Sequence, residues 1–178
     1  HRGHAQQDAV MIRSASAIVA GVLAVISVAD SVRAADPVNI PFSVVKKAFE
    51  KAECTVELKD EPRENVEELG GGLKLVEVYC WRAAYQAGSM FLVLDLVRPE
   101  KARLFQFQWW SNQKLISLYS LTEPDFDPRT KTLKSFHKGR GVGDCGSIGK
   151  WTWGNGNFNL KRFWNKETCD GQPFDDEK

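Results

Sequence analysis

Apolar and polar residues alternate in short runs over most of the chain, and this pattern predicts a protein built largely of β-strands. In residues 104–110, Phe105, Phe107 and Trp109 fall on one face and the intervening residues on the other. Similar runs occupy residues 73–81, 91–97, 115–121, 133–136, 151–153 and 158–164. Turn-forming residues separate them at 70–72, 87–89, 98–100, 125–129 and 154–157. The Gly-Asn-Gly-Asn turn between residues 151–153 and 158–164 predicts a β-hairpin.

One segment has the period of a helix instead. Within residues 41–52, Phe42, Val45, Phe49 and Ala52 recur at spacings of three and four, with lysines and a glutamate opposite. This stripe is typical of a helix that packs on a sheet. Because no helical pattern lies between the strands, we expect a mainly β fold with a minor α+β character. It would be an antiparallel multi-stranded sheet or sandwich with one N-terminal helix.

Residues 1–34 have the layout of a secretory signal peptide. Met11 and Arg13 precede an apolar run over residues 15–29, and small residues lead to a cleavage site expected after Ala34. The run is short for a membrane span, although an uncleaved anchor is the alternative. Residues 1–10 precede Met11 and are interpreted as an upstream extension. We therefore expect one exported domain over residues 35–178, located in the periplasm of a Gram-negative bacterium, with no stable membrane span after cleavage.

The four cysteines, Cys54, Cys80, Cys145 and Cys169, all follow that leader. An even number of cysteines behind an export signal predicts two disulfides. Three pairings exist, and Cys54–Cys80 with Cys145–Cys169 is favoured because each closes a local loop of similar size. A zinc site is the alternative, but no two of these cysteines have the close spacing of zinc ligands. We expect neither a metal nor another cofactor.

Overall charge argues against nucleic acid as a partner. The chain carries 24 Lys and Arg against 23 Asp and Glu, a net charge of +1, which gives no bulk attraction to a polyanion.

Candidate chemistry concentrates in a glycine-rich loop over residues 139–146. Glycines at alternate positions could expose backbone N–H groups to an anion, with Arg140 as a bidentate donor. The alternative is a tight loop held by a disulfide and by Asp144 accepting backbone hydrogen bonds. Nearby, His137 could act as a general base, but it is more typical of a surface residue at the end of a strand.

Other residues allow further interpretations. Asp125 and Asp127 resemble the start of a calcium loop, although a turn at Pro128 explains them better. Residues 61–68 are rich in Glu and are interpreted as a solvated connector.

The six tryptophans are many for this length, and Trp109 and Trp110 alternate on one strand. Either two layers cover that strand, or one set of rings is exposed as a contact surface.

Two motifs are distinctive: Cys-Trp-Arg-Ala-Ala-Tyr at residues 80–85 and Lys-Gly-Arg-Gly-Val-Gly-Asp-Cys-Gly at residues 138–146. Both resemble motifs of the bacterial domain-of-unknown-function 1176 family. Residues 126–136, Trp151, Trp153 and the late Cys169 fit the same pattern. The resemblance implies export and disulfides, and it implies no catalytic residue. Members of that family are often longer than this chain.

From these features we expect a non-enzymatic binding or inhibitory protein of the cell envelope. Its partner would be another envelope protein, with peptidoglycan as the second candidate ligand. The predicted contact residues are His137, Arg140 and Asp144, with Trp109 or Trp110 nearby. The alternative function is an envelope glycan-binding domain or a hydrolase using carboxylates such as Asp125, Asp127 or Asp144, because paired acids can cleave glycosidic bonds.

Overall fold

The described part of the chain is mainly β, as the sequence predicts. The computed structural model describes residues 40–58 and 64–174, so the predicted leader and the last four residues lie outside it. Within these ranges it has one α-helix, α1 (Phe42–Lys51), and antiparallel strands. The strands are β1 (Glu64–Gly70), β2 (Leu73–Arg82), β3 (Ala87–Asp95), β4 (Arg103–Leu104), β5 (Phe107–Ser111), β6 (Lys114–Leu118), β7 (Ser120–Thr122), β8 (Pro124–Asp127), β9 (Thr132–Lys138), β10 (Gly146–Gly154) and β11 (Asn157–Lys166). None of the described helices is long and apolar enough to cross a membrane.

Helix α1 forms where the apolar stripe predicts it and packs on a sheet. Pro41 precedes its first turn, a position where the missing N–H costs no helical hydrogen bond. Val45, Ala48 and Phe49 are buried, while Phe42, the first residue of the stripe, remains 42% exposed. The buried face contacts side chains from the middle of the first sheet, namely Val76, Val78, Met90, Leu92 and Leu94.

The first sheet has the order β1-β2-β3-β4, and β7 pairs with β3 as well. Its central strand β3 is buried on both faces, because one face meets α1 and the other meets a second layer of strands. Alternation therefore sends Leu92 towards the helix and Phe91 towards the second layer.

The second layer contains a four-stranded sheet in the order β11-β10-β9-β8 and the two-stranded ribbon β5-β6. An aromatic core fills the space between this layer and the first sheet. Its buried rings are Phe91, Phe105, Phe107, Trp109, Trp151 and Phe158. Trp151 is fully buried, and its Nε1 donates a hydrogen bond to the Gln108 carbonyl oxygen at 3.0 Å. The predicted hairpin is confirmed: β10 and β11 pair next to a turn at Asn155 and Gly156, both with positive φ.

Two runs that the alternation predicts as single strands are each divided in the structure. Residues 104–110 contain the last residue of β4, in the first sheet, and most of β5, in the ribbon. Residues 115–121 contain most of β6, in the ribbon, and most of β7, which returns to pair with β3. The chain crosses from one layer to the other between the two strands of each run. The alternation of apolar and polar residues continues across the crossing, so it does not reveal where the first strand ends.

Two other local predictions are wrong. Residues 64–68 belong to strand β1 rather than a solvated connector, because Val66 and Leu69 contact the two cores while Glu67 and Glu68 lie on an edge strand. Residues 87–89 lie inside β3 rather than a turn, and Gly88 is required because a Cβ would overlap the Trp81 ring. The turn predicted at Pro128 is present, although Asp125 and Asp127 themselves lie in strand β8 before it. The Asp127 carboxylate accepts a hydrogen bond from the Arg129 N–H at 2.9 Å in this turn.

Candidate functional site

Both predicted disulfides are confirmed. Cys54 joins Cys80 with a Cα–Cα distance of 4.6 Å, and Cys145 joins Cys169 at 4.8 Å. The first links the segment after α1 to β2. The second ties the connection between β9 and β10 to the segment that follows β11. We call residues 139–145 the pinned loop.

The pinned loop is closed by an ion pair inside it. The Arg140 Nε donates to Asp144 Oδ1 at 2.7 Å, and Arg140 Nη2 donates to the other carboxylate oxygen. Arg140 Nη2 also reaches the Cys169 carbonyl oxygen at 3.2 Å, and the Gly171 N–H donates to Asp144 Oδ2 at 2.6 Å. These hydrogen bonds, led by those from Arg140, hold the pKa of the Asp144 carboxyl well below its usual range. Asp144 is buried, so it fixes the loop and offers little surface to a partner.

The hairpin between β2 and β3 supports the pinned loop from the side. The Gln86 side chain binds the backbone of Lys138 twice, accepting from its N–H at 3.1 Å and donating to its carbonyl oxygen at 3.5 Å. Gly141 lies against the Tyr85 ring, where an added Cβ would be 3.5 Å from Cγ. Two side chains are exposed where the hairpin meets the pinned loop: Tyr85, which is 49% exposed, and Val142, which is 77% exposed. Together with the half-exposed Arg140 guanidinium they form what we call the contact surface.

The structure brings three of the five predicted contact residues to this end of the molecule. His137 is exposed at the second-last position of strand β9, with its Nδ1 3.2 Å from the Thr122 hydroxyl oxygen. It precedes the pinned loop by two residues and Arg140 by three. Gly146 packs so closely on the His137 carbonyl that a Cβ there would overlap the oxygen. His137 and Arg140 therefore present polar groups beside the same loop, whereas Asp144 lies beneath it.

The two predicted tryptophans have different environments. Trp109 is 8% exposed, stacks on Trp151 with ring centroids 5.8 Å apart and meets Phe163 edge-on at 5.0 Å. Trp110 points to the other face of β5 and is 44% exposed beside its cross-strand partner Leu115. Burial leaves Trp109 little area to offer a partner, so it contributes to the core.

Tyr85 and Val142 were missed as candidate contacts by the sequence reasoning. Tyr85 ends a motif that was noted only for its family resemblance, and nothing local indicates that a turn tyrosine is exposed. Val142 carried a usable signal, because an apolar side chain among alternating glycines has few neighbours to cover it.

Among the described residues, Asp144, Cys145 and Cys169 place potential metal-ligating atoms within 4.8 Å of one another. Both sulfur atoms are joined in the disulfide, so neither is a thiolate that could bind a metal. The Asp144 oxygens already accept hydrogen bonds from Arg140 and Gly171. This cluster is therefore structural in the oxidised protein.

A second site lies between the edge strands of the two sheets. It is a cleft of about 210 Å³ whose lining combines aromatic rings with polar groups, namely Asn65, Glu67, Leu75, Glu77, Phe91, Pro124, Asp125 and Phe126. Asn65 Nδ2 donates to Glu77 Oε2 at 3.2 Å across the β1–β2 pair. In the strand register Glu67 pairs with Leu75 and Glu77 with Phe91, so two carboxylates lie beside the apolar floor, and Asp125 also lines the cleft. This arrangement could bind sugar hydroxyls or supply acid and base groups.

The three acids proposed from the sequence for such chemistry do not meet. Asp125 lines the cleft, Asp127 fixes the turn after β8, and Asp144 is paired with Arg140 in the pinned loop. Glu67 and Glu77 are the partners of Asp125 that sequence reasoning missed, because their segment was interpreted as a connector or as an ordinary strand.

Comparison with known proteins identifies the family but no activity. Uncharacterized protein YpfG of Escherichia coli (strain K12) is 26% identical over 107 residues, which cover 60% of this chain and 31% of that protein. The chain thus spans less than a third of this curated relative. No solved structure gives a significant match. The family described as Protein of unknown function (DUF1176) matches residues 2–177, and because this is nearly the whole sequence, the chain belongs to the DUF1176 family.

Proposed function

We propose that this protein is an exported, non-enzymatic binding or inhibitory protein of the cell envelope that holds a partner protein at its contact surface. The observation that carries the proposal is the rigid presentation of Tyr85, Arg140 and Val142. Tyr and Arg are among the residues that dominate binding energy at protein interfaces, and the exposed Val142 adds apolar area beside them.

The restraints on the pinned loop support a binding role. Three restraints limit the conformations of this loop: the Cys145–Cys169 disulfide, the Arg140–Asp144 ion pair, and the two hydrogen bonds between the Gln86 side chain and the Lys138 backbone. A loop that is already ordered loses less conformational entropy when a partner binds, so more of the contact energy becomes affinity. Loops presented on a rigid β scaffold commonly carry binding function for the same reason.

The two disulfides support the proposed compartment. Disulfides form and persist in oxidising environments such as the bacterial periplasm and are rare in the cytosol. The signal-peptide pattern of residues 1–34 points to the same destination. An envelope protein is therefore the partner that the chain would meet.

The test is affinity capture with a matched pair of exposed valines. Val142 in the pinned loop is 77% exposed, and Val97, which follows the opposite end of β3, is 85% exposed. Oxidised wild-type protein, Val142→Asp, Val97→Asp and Tyr85→Ala are each immobilised and exposed to envelope extract of the producing organism. We expect one stoichiometric protein on wild type and Val97→Asp that is lost on Val142→Asp and on Tyr85→Ala. Equal retention on all four columns, or no retained protein, would reject the contact surface.

The cleft favours a second candidate function, an envelope glycan-binding domain or a carboxylate-dependent glycan hydrolase. Its support is that Glu67, Glu77 and Asp125 border one aromatic-floored cleft. Wild type is incubated with purified sacculi and the released reducing ends are measured. Hydrolysis predicts release that disappears in Glu77→Gln and Asp125→Asn but persists in Asp127→Asn, whose carboxylate lies in a turn. Absence of both release and retention on sacculi would eliminate this candidate.

A further inference from the structure

Strand β6 has an open edge. It is hydrogen-bonded to β5 on one side, and in the described part of the chain these two strands alone form the ribbon. In an antiparallel pair, the N–H and C=O groups of alternate residues point away from the partner strand. Among the described residues, no backbone hydrogen bond joins those outward groups of β6 to another segment. They are therefore available to a further strand.

The side chains of β6 are apolar and exposed on both faces of the ribbon. Leu115 is 47% exposed and lies opposite Trp110, which is 44% exposed, on the outer face. On the inner face, Ile116 lies opposite the buried Trp109 yet remains 39% exposed. A strand added beside β6 would extend both faces and cover both aliphatic side chains. This edge therefore offers apolar area together with backbone groups.

Three other edge strands carry residues that discourage pairing between molecules. Charged side chains and proline on an edge strand have this effect. Those residues are Glu64, Glu67 and Glu68 in β1, Pro124, Asp125 and Asp127 in β8, and Lys161, Arg162 and Lys166 in β11. Strand β6 has a single charge, on Lys114 at its first position. The protection present on the other edges is thus nearly absent from this one.

The order of residues in β6 suits pairing with a second copy of itself. In an antiparallel pair centred on Ile116, this residue lies opposite Ile116 of the second copy, and Leu115 lies opposite Ser117. Lys114 then lies opposite Leu118, so the two lysines are four positions apart, about 14 Å along the strands. That distance exceeds the Debye length of about 8 Å at physiological ionic strength. The net charge of +1 likewise produces little repulsion between copies.

We propose that two copies of this chain associate through β6, so that their ribbons form one four-stranded antiparallel sheet across a twofold axis. A twofold homodimer needs one patch that is complementary to itself. Strand β6 meets this requirement through its open backbone edge, its exposed aliphatic side chains and the separation of its lysines. The contact surface consists of other residues, so the proposal stands or fails separately from the proposed protein partner.

Sedimentation equilibrium of the oxidised full chain tests the proposal. Ile116→Lys places two like charges opposite one another at the axis, and Leu96→Lys makes a similar change at a leucine that is 49% exposed after β3. We expect wild type and Leu96→Lys to approach the mass of two chains as the protein concentration rises to about 1 mM. The dissociation constant of the dimer should be at least about tenfold higher in Ile116→Lys. A wild type that stays monomeric, or a dimer that both variants weaken equally, would overturn the proposal.

Hydrogen exchange of wild type is a second readout that needs no substitution. The outward N–H groups of β6 gain partners in the dimer, so their exchange should slow as the protein concentration rises, while exchange in the edge strands β1 and β8 stays constant. Slowing at another strand instead would assign the dimer to a different surface. Slowing of β6 only after an envelope protein is added would assign the edge to a strand of that protein. Either result would overturn pairing between copies.

Discussion

Removing the Cys145–Cys169 disulfide should destabilise the protein by an amount that the loop length sets. The bridge joins residues 24 apart, and the Cys54–Cys80 bridge joins residues 26 apart. In the chain-entropy model a closed loop of this size stabilises the folded state by about 3.5 kcal/mol. We therefore expect the paired serine variants, Cys145→Ser/Cys169→Ser and Cys54→Ser/Cys80→Ser, to lose nearly equal free energies of unfolding.

Urea unfolding measures both variants. A total stability of about 5–15 kcal/mol leaves either variant folded enough to give a transition. A loss below about 1 kcal/mol for either bridge would refute the entropic reasoning. A large difference between the two bridges would also refute it, because their loops are nearly the same length.

Trypsin sensitivity distinguishes what the two bridges do locally. Lys138 and Arg140 flank the start of the pinned loop, and Cys145–Cys169 fixes its far end. We expect cleavage after these residues to accelerate in Cys145→Ser/Cys169→Ser, because the loop opens without global unfolding. The Cys54→Ser/Cys80→Ser variant, matched in stability, should be cut there no faster than its global unfolding allows. Equal cleavage in both variants would show that the disulfide does not order the loop.

Three further predictions concern the ion pair, the core and a glycine. The pKa of Asp144 is lower in the folded protein than its ordinary value of 3.8, so the ionised carboxylate stabilises the fold at pH values above 3.8, and this stabilisation is lost as the pH falls further. Asp144→Asn should therefore be less stable than wild type at neutral pH and approach the stability of wild type in acid, as unfolding curves at each pH would measure. Trp151→Ala should cost about 3–5 kcal/mol in urea unfolding and alter near-ultraviolet circular dichroism, since its ring fills the core beside Trp109. Gly146→Ala should unfold the end of β10, seen as lost amide protection, whereas Gly154→Ala, with open space around its Cβ, should change stability by less than about 0.5 kcal/mol.

Local patterns predicted those features that depend on neighbouring residues. The helix follows from the spacing of Val45 and Phe49, and the β10–β11 hairpin follows from the Gly-Asn turn. The disulfide pairing follows from loop size, because short local loops close most easily. These signals need no knowledge of how the layers stack.

Features that depend on the stacking of layers were not predictable in the same way. Trp109 and Trp110 have similar sequence surroundings, yet one is buried and the other exposed because only one face of β5 meets the aromatic core. Strand β1 was hidden by its glutamates, which an edge strand beside an open cleft can accommodate. The contact surface depends on the β2–β3 hairpin lying beside the pinned loop, and no local pattern encodes that approach of Tyr85 to Gly141.

Hydrogen exchange of the captured complex tests the central claim most directly. The oxidised protein is measured alone and with the partner retained in the valine experiment. The account predicts that bound partner slows amide exchange at residues 83–86 and 139–145, which carry Tyr85, Arg140 and Val142, and leaves β1 and β8 unchanged. Slowed exchange confined to the cleft strands, with the pinned loop unaffected, would contradict the claim that this loop end is the binding surface.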